Sequence, residues 1–233
     1  MELSFESLKR FTADASHELR TPLTALRSVG EIALRGNENE HELRETISSM
    51  LEEADRLNNL VSTMLMFARA EGGSANPVIR SLSVSALCVE ICDSLEVLAV
   101  EKKQQLTVSG EGDVSLESDA LLLRHAIMNI VHNAIHYSPR EAKIDVCCLE
   151  EGDRAIIEIS DNGPGIPAEH REKVFERFYR IDSARSQTEG GSGLGLAIAK
   201  LSIEQIGGSI QLREAGQQGC RFRISLPLNC SES

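Results

Sequence analysis

Near the start of the chain, apolar side chains recur at Leu8, Phe11, Ala15, Leu19, Leu23 and Leu26. They return at Leu43, Ile47, Met50, Leu57, Leu60, Met64 and Phe67, again at spacings dominated by three, four and seven. That period belongs to a helix, and it predicts two long amphipathic helices. Gly36-Asn37-Glu38-Asn39 breaks the pattern with turn formers, so the helices are expected to fold back as an antiparallel hairpin. Two helices cannot cover an apolar seam on both sides, and such a hairpin is expected to pair with a second copy as a four-helix bundle. A homodimer follows as the expected state.

Glu71-Gly72-Gly73-Ser74-Ala75-Asn76-Pro77 ends the second helix, and residues 72–77 read as a flexible linker. Beyond Pro77 the rhythm changes. Strands are expected near 79–83, 105–109, 113–117, 142–150, 154–161, 208–213 and 219–226, with helices near 84–102, 119–137 and 195–206. The chain is therefore α+β with two domains, a helical hairpin over 1–71 and, over 78–229, an α/β sandwich with helices on one face of a mixed sheet.

A net charge of −12 argues against a nucleic-acid surface, because neutralising phosphates needs a dense Lys/Arg face. Cys88, Cys92, Cys147, Cys148, Cys220 and Cys230 lack paired zinc-ligand spacing and lie mostly in apolar runs, which suits reduced core thiols. No run reaches the ~18 apolar residues of a membrane span, so a soluble segment without membrane contact is expected.

Several motifs carry chemistry. Asn129 and Asn133 lie four apart in Asn129-Ile130-Val131-His132-Asn133-Ala134-Ile135-His136-Tyr137, so both amides project from one helix face. A side-chain carbonyl there can ligate Mg²⁺, although a solvated polar face has the same pattern. Asp161-Asn162-Gly163-Pro164-Gly165 follows the apolar run Ile156-Ile157-Glu158-Ile159. A carboxylate at a strand end can accept from an exocyclic amine, and Gly163 and Gly165 let backbone approach a flat base, which fits adenine; a plain tight turn is the alternative.

Gly190-Gly191-Ser192-Gly193-Leu194-Gly195 leads straight into a helix. Backbone N–H groups and the positive end of the helix dipole there can cradle phosphates, in a form that is not a Walker loop. The polar stretch 181–189 before it reads as a lid. Val174-Phe175-Glu176-Arg177-Phe178-Tyr179-Arg180 sets aromatic anchors beside two cations, and Arg180 is placed to meet γ-phosphate charge. Upstream, Ser16-His17-Glu18-Leu19-Arg20-Thr21-Pro22 puts one histidine in the first helix. Pro22 lacks an N–H and crowds the carbonyl of Glu18, which bends that helix beside His17.

His-Glu-Leu-Arg-Thr-Pro, then an asparagine box, Asp-Xaa-Gly-Xaa-Gly, a phenylalanine box and Gly-Xaa-Gly-Leu-Gly, in this order, resemble the catalytic core of a sensor histidine kinase. The hairpin is similar to the dimerisation and histidine-phosphotransfer domain, and residues 78–228 resemble the Bergerat-fold ATP-binding domain shared with gyrase-type ATPases. The resemblance implies that ATP and Mg²⁺ are the cofactors, that His17 accepts the phosphoryl group and that Glu18 orients or deprotonates its imidazole. It also implies Asn133 as the Mg²⁺ ligand, Tyr137 at the border of the base, Asp161 as the reader of adenine, and the loop from Gly191 through Gly193, Leu194 and Gly195 around the phosphates. Thr21, one turn after His17, would position water against an aspartyl phosphate, making the enzyme both kinase and phosphatase toward a response-regulator receiver domain.

The family's usual place implies the cytoplasmic part of an inner-membrane sensor. His136 departs from the family, where lysine is common, so a fixed cation is missing from that position. Two other readings stand beside the kinase: a gyrase or chaperone-type ATPase using nucleotide-dependent dimer closure, and a non-catalytic dimeric scaffold. Asn129 weighs against the ATPase, because an amide offers no base to activate water where hydrolysing relatives carry glutamate.

Overall fold

The structure, a computed structural model, describes residues 19–20, 22–35, 39–71, 77–110, 112–181, 193–214 and 219–229. The chain divides into two compact units, Met1–Gly73 and Ser74–Ser233.

In the first unit, helix α1 runs over 22–35 and α2 over Glu40–Glu71. Sequence starts α2 through a reciprocal cap. Asn39 Oδ1 accepts from the His41 and Glu42 amides at 3.0 and 3.1 Å, and Glu42 Oε2 accepts from the Asn39 amide at 2.9 Å. Gly30 of α1 faces Met50 of α2, whose Cε would lie 3.4 Å from a Cβ at position 30. That contact suits two helices turning back at the expected break. The apolar stripe is only partly covered within one chain: Leu23, Leu43 and Ile47 are 56, 44 and 48% exposed.

The second unit comprises β1 (Arg80–Ser83), α3 (Val84–Glu101), β2 (Gln105–Gly110), β3 (Ser115–Ser118), α4 (Ala120–Tyr137), β4 (Lys143–Glu151) and β5 (Arg154–Asp161). Two 3₁₀ turns, Ala168–His170 and Lys173–Phe175, precede α5 (Gly195–Gln205), β6 (Ser209–Glu214) and β7 (Cys220–Pro227). Each of these strands and α-helices lies within two residues of the range expected from periodicity, while the two 3₁₀ turns had no expected range. Local chemistry explains the boundaries. Ser83 caps α3 by accepting from the Ala86 amide, and Asp119 caps α4 by accepting from the Leu121 and Leu122 amides. The other Asp119 oxygen accepts from the Val78 amide at 2.7 Å, which anchors the chain where it enters this unit.

β1 and β3 pair antiparallel, while the main sheet has the order β2-β4-β5-β7-β6, with β2 parallel to β4 and the rest antiparallel. Alternation along the strands sends Ile144, Val146, Cys148, Ala155, Ile157, Ile159, Phe222 and Ile224 to one face. There they share a core with Ile91 of α3, Leu123, Ile127 and Ile130 of α4, and Ile203 of α5. The other face carries polar pairs around the buried Ile156. Thr107 and Ser109 donate to Asp145, and Arg223 bridges Glu158 and Glu151.

The core also holds the cysteines that sequence placed there. Cys88, Cys92, Cys148 and Cys220 are buried free thiols and Cys147 is half-buried; Cys230 lies outside the described residues. Cys88 and Cys148 touch at 3.5 Å between sulfurs. Burial holds the Cys92 thiol up at about 11.

Candidate functional site

Three segments far apart in sequence meet along the core-side edge of the second unit. Helix α4 brings Asn129 and Asn133 onto one face, as their spacing requires. Asn129 donates from Nδ2 to the His125 carbonyl at 2.8 Å, which turns its Oδ1 toward Gly195 at the start of α5. A Cβ on Gly195 would lie 3.1 Å from Asn129 Oδ1 and 3.8 Å from Asn133 Nδ2, so both amides converge on this glycine. A side-chain amide oxygen is the kind of hard donor Mg²⁺ prefers; at this glycine Asn129 presents its oxygen and Asn133 its Nδ2.

Helix α5 starts without a side-chain cap. Its first N–H groups lie at the positive end of an eleven-residue dipole, and no side chain among the described residues caps them. Leu194 is buried, so this residue reaches the site through its backbone alone. Gly193 has φ +68, and a Cβ there would sit 2.8 Å from the Phe178 carbonyl carbon. Only glycine fits such a position without strain.

Asp161 closes β5. Its Oδ1 accepts from the Gly163 amide at 2.9 Å and the Cys220 amide at 3.3 Å, which fixes the carboxylate at the strand end. Burial raises its pKa above the usual carboxylate value, and the two backbone bonds oppose that shift. Burial and the neighbouring Asp161 push the Cys220 thiol up to about 12, so it stays neutral beside the carboxylate. Gly163 is buried between Asp161 and Ser138; a Cβ there would lie 2.9 Å from Asp161 Oδ1 and 3.0 Å from Ser138 Oγ. Gly165 packs on Gly219, the residue before β7. Asn162 turns outward from the site, its Oδ1 accepting from the Lys143 amide.

Tyr137 ends α4, 51% exposed, its ring set edge-on to His136 at 4.7 Å. A cation does lie at this end of α4, but it comes from another element: Lys102, just after α3, donates from Nζ to the His136 carbonyl at 2.6 Å. The phenylalanine box is anchored by an edge-to-face contact of Phe175 with Phe222, by Tyr179 Oη against His170 Nδ1 at 2.6 Å, and by the Phe178 amide donating to the Gly193 carbonyl. This sets the half-buried Arg180 close in sequence to the Phe178–Gly193 junction.

His17, Glu18, Thr21 and Gly191 lie outside the described residues, as does the lid expected over 181–189 apart from Ile181. The structure brings together Asn129, Asn133, Gly193, Leu194 and Gly195 on one side, and Asp161, Gly163 and Gly165 on the other. Ser138, Gly219 and Cys220 belong to this site and went unread in the sequence. A Cβ on Gly219, at φ +97, would overlap the Asp161 carbonyl oxygen. A glycine opening a strand was the one available signal, and nothing local says which backbone it must admit.

Among the described residues, no helix is long and apolar enough to cross a membrane. The His Kinase A (phospho-acceptor) domain family matches residues 7–73, and the family of histidine kinase-, DNA gyrase B- and HSP90-like ATPases matches residues 118–229. The chain is 36% identical over 231 residues to the sensor protein IrlS of Burkholderia pseudomallei, covering 99% of this chain and 49% of that protein. It is 34% identical to the sensor histidine kinase CusS of Escherichia coli K12, covering 96% and 46%. It thus spans about half the length of these relatives. Among solved structures, the Acinetobacter baumannii histidine kinase AdeS superposes with a TM-score of 0.76 at 22% identity, over 91% of this chain and 98% of that one. Histidine kinase ThkA, solved in complex with response regulator protein TrrA, gives 0.77 at 22%, over 97% and 64%. With both domain families matched in order, and the glycines, asparagines and aspartate of the ATPase motifs gathered at one site, the chain belongs to the sensor histidine kinases, as their catalytic core.

Proposed function

We propose that this chain is an ATP-dependent protein-histidine kinase that phosphorylates its own His17 and passes the phosphoryl group to an aspartate of a response-regulator receiver domain. The observation that carries this reading is the convergence of Asn129, Asn133 and the start of α5 on Gly195, within the same unit as the half-buried Asp161 carboxylate. One end suits a charged triphosphate and the other an amine-bearing base.

Phosphoryl transfer needs alignment and charge neutralisation more than covalent chemistry. Asn133 would hold Mg²⁺, which shields phosphate charge when bound. Asn129 orients beside it, Arg180 and the N–H groups of Gly193, Leu194 and Gly195 meet phosphate oxygens, and Gly191 extends the cradle. Asp161 accepts from the adenine amine, Gly163 and Gly165 admit the ring, and Tyr137 borders it. Near neutral pH much of an imidazole is already unprotonated, so Glu18 suffices to orient His17 or take its proton.

Residues 1–71 are assigned to dimerisation and phosphotransfer, 72–77 to a linker and 78–229 to ATP binding. The exposed stripe of Leu23, Leu43 and Ile47 supports a homodimer closed by four helices. Thr21 supports a second activity, dephosphorylation of the regulator. A place on the cytoplasmic side of a membrane-anchored sensor accords with the sensor relatives, which are about twice as long.

Incubation with labelled ATP and Mg²⁺ is expected to give an acid-labile, base-stable phosphate that disappears in His17→Gln. Steady phosphate release without a phosphoprotein would favour the ATPase reading instead. Thr21→Ala is expected to keep autophosphorylation and lose regulator dephosphorylation, and unchanged dephosphorylation would remove Thr21 from that role.

A further inference from the structure

The turn between α3 and β2 grips the end of α4. Gln104, 7% exposed, shares the two hydrogens of its Nε2 among three carbonyls, those of Ile135 at 3.1 Å, Ser138 at 3.0 Å and Pro139 at 3.0 Å. Lys102 adds Nζ bonds to the Ile135 carbonyl at 3.1 Å and the His136 carbonyl at 2.6 Å. The last carbonyls of a helix have no partner within it, and an ammonium there also meets the negative end of the dipole. The turn is held in return, since the Glu141 amide donates to the Lys102 carbonyl and the Gln105 amide to that of Ala142.

This grip continues into the base pocket. Ser138, whose carbonyl Gln104 holds, is buried and packs its Cα and Oγ against Gly163. Gly163 in turn donates its amide to Asp161 Oδ1. The first and last steps of this path, Gln104 to Ser138 and Gly163 to Asp161, are hydrogen bonds, and between them Ser138 occupies the space a side chain on Gly163 would need. If the last turn of α4 shifted, Ser138 would press on or release the turn that aims the carboxylate.

We propose that Gln104, assisted by Lys102, is a positioning residue for purine recognition, holding the end of α4 so that the Asp161 carboxylate meets the exocyclic amine of the base. This rests on the reading of Asp161 as the adenine reader. Neither residue touches nucleotide; both act through backbone. Gln104 reaches α4 from a turn that contains none of the ATP-binding motifs.

The test compares ATP with purine riboside triphosphate, which lacks the exocyclic amine, in the whole chain and in Gln104→Leu and Lys102→Met variants. The unaltered chain is expected to prefer ATP. In Gln104→Leu that preference should fall by about fivefold to tenfold, the size of one or two misaligned hydrogen bonds, with KM rising and kcat little changed. Lys102→Met should show a smaller loss, and Lys102→Arg should restore it. An equal loss for both nucleotides would assign Gln104 to stability alone and overturn the proposal. Should Gln104→Leu fail to fold, the half-buried Lys102 decides: Lys102→Met with an unchanged preference overturns it equally. A different result would strike the reading beneath it: an unaltered chain that binds both nucleotides equally removes Asp161 as the amine reader, and the proposal with it.

Discussion

In its proposed role Asp161 carries opposed demands, because it must be charged to accept from an amine and yet sits where burial disfavours charge. Its pKa lies above the usual carboxylate value in the folded chain, so ionisation costs the fold stability at neutral pH; that cost shrinks as pH falls below the raised value and is gone below the usual one. Asp161→Asn keeps an oxygen to accept from the Gly163 and Cys220 amides and removes the buried charge. It is expected to hold or raise the thermal midpoint at pH 7 while losing most ATP binding, which calorimetry on one preparation would measure. In the unaltered chain, ATP affinity should decline with acidity at a higher pH than an ordinary carboxylate would set, and titrating affinity from pH 8 to 5 would show it. Ser202, on α5, carries a fully buried hydroxyl without a hydrogen-bond partner among the described residues. Ser202→Ala removes that burden, with a gain of about 1 kcal/mol expected in denaturant unfolding.

At the scale of elements, the site depends on places where backbones pass too closely for a side chain. Gly219 against Asp161 and Gly193 against Phe178 join pieces separated by long stretches of sequence, and both have positive φ. Gly193→Ala combines backbone strain with a clash against Phe178, and a loss of about 1–3 kcal/mol is expected from the strain alone. Since the displaced backbone leads directly into α5, nucleotide affinity should fall along with stability, measurable as a smaller thermal shift on adding ATP. Equal affinity in a destabilised variant would detach the phosphate cradle from Gly193. The start of α5 makes the same point, because Gly193 sets the chain's entry into the helix and Gly195 lies against Asn129 and Asn133.

Across the whole molecule, the two units face different problems. The second closes a core between one sheet face and three helices, and that core needs no other chain. The hairpin leaves Leu23, Leu43 and Ile47 about half exposed, and a single pair of helices has no further surface to cover them. Leu43→Glu with Ile47→Glu is expected to shift the chain from dimer to monomer in light scattering. The double variant should retain ATP binding in the second unit and lose the bundle's cooperative melting. A dimer that persists would place the interface elsewhere.

What sequence alone determined here is what repeats locally. Period 3.6 in α4 and period 2 in β4, β5 and β7 reveal both the elements and their buried faces, because burial acts on every residue of the pattern. Caps at Asn39, Ser83 and Asp119 mark helix starts, because the bonds they make are local. The motifs that mark the family were legible for the same reason: glycine, asparagine and aspartate each carry their chemistry within a few residues. Only the tertiary structure decided that Gln104 and Lys102 hold α4, that Ser138 backs Gly163, and that Gly219 admits Asp161. Those contacts join residues 25 to 58 positions apart in the chain, and no periodicity or turn rule extends that far.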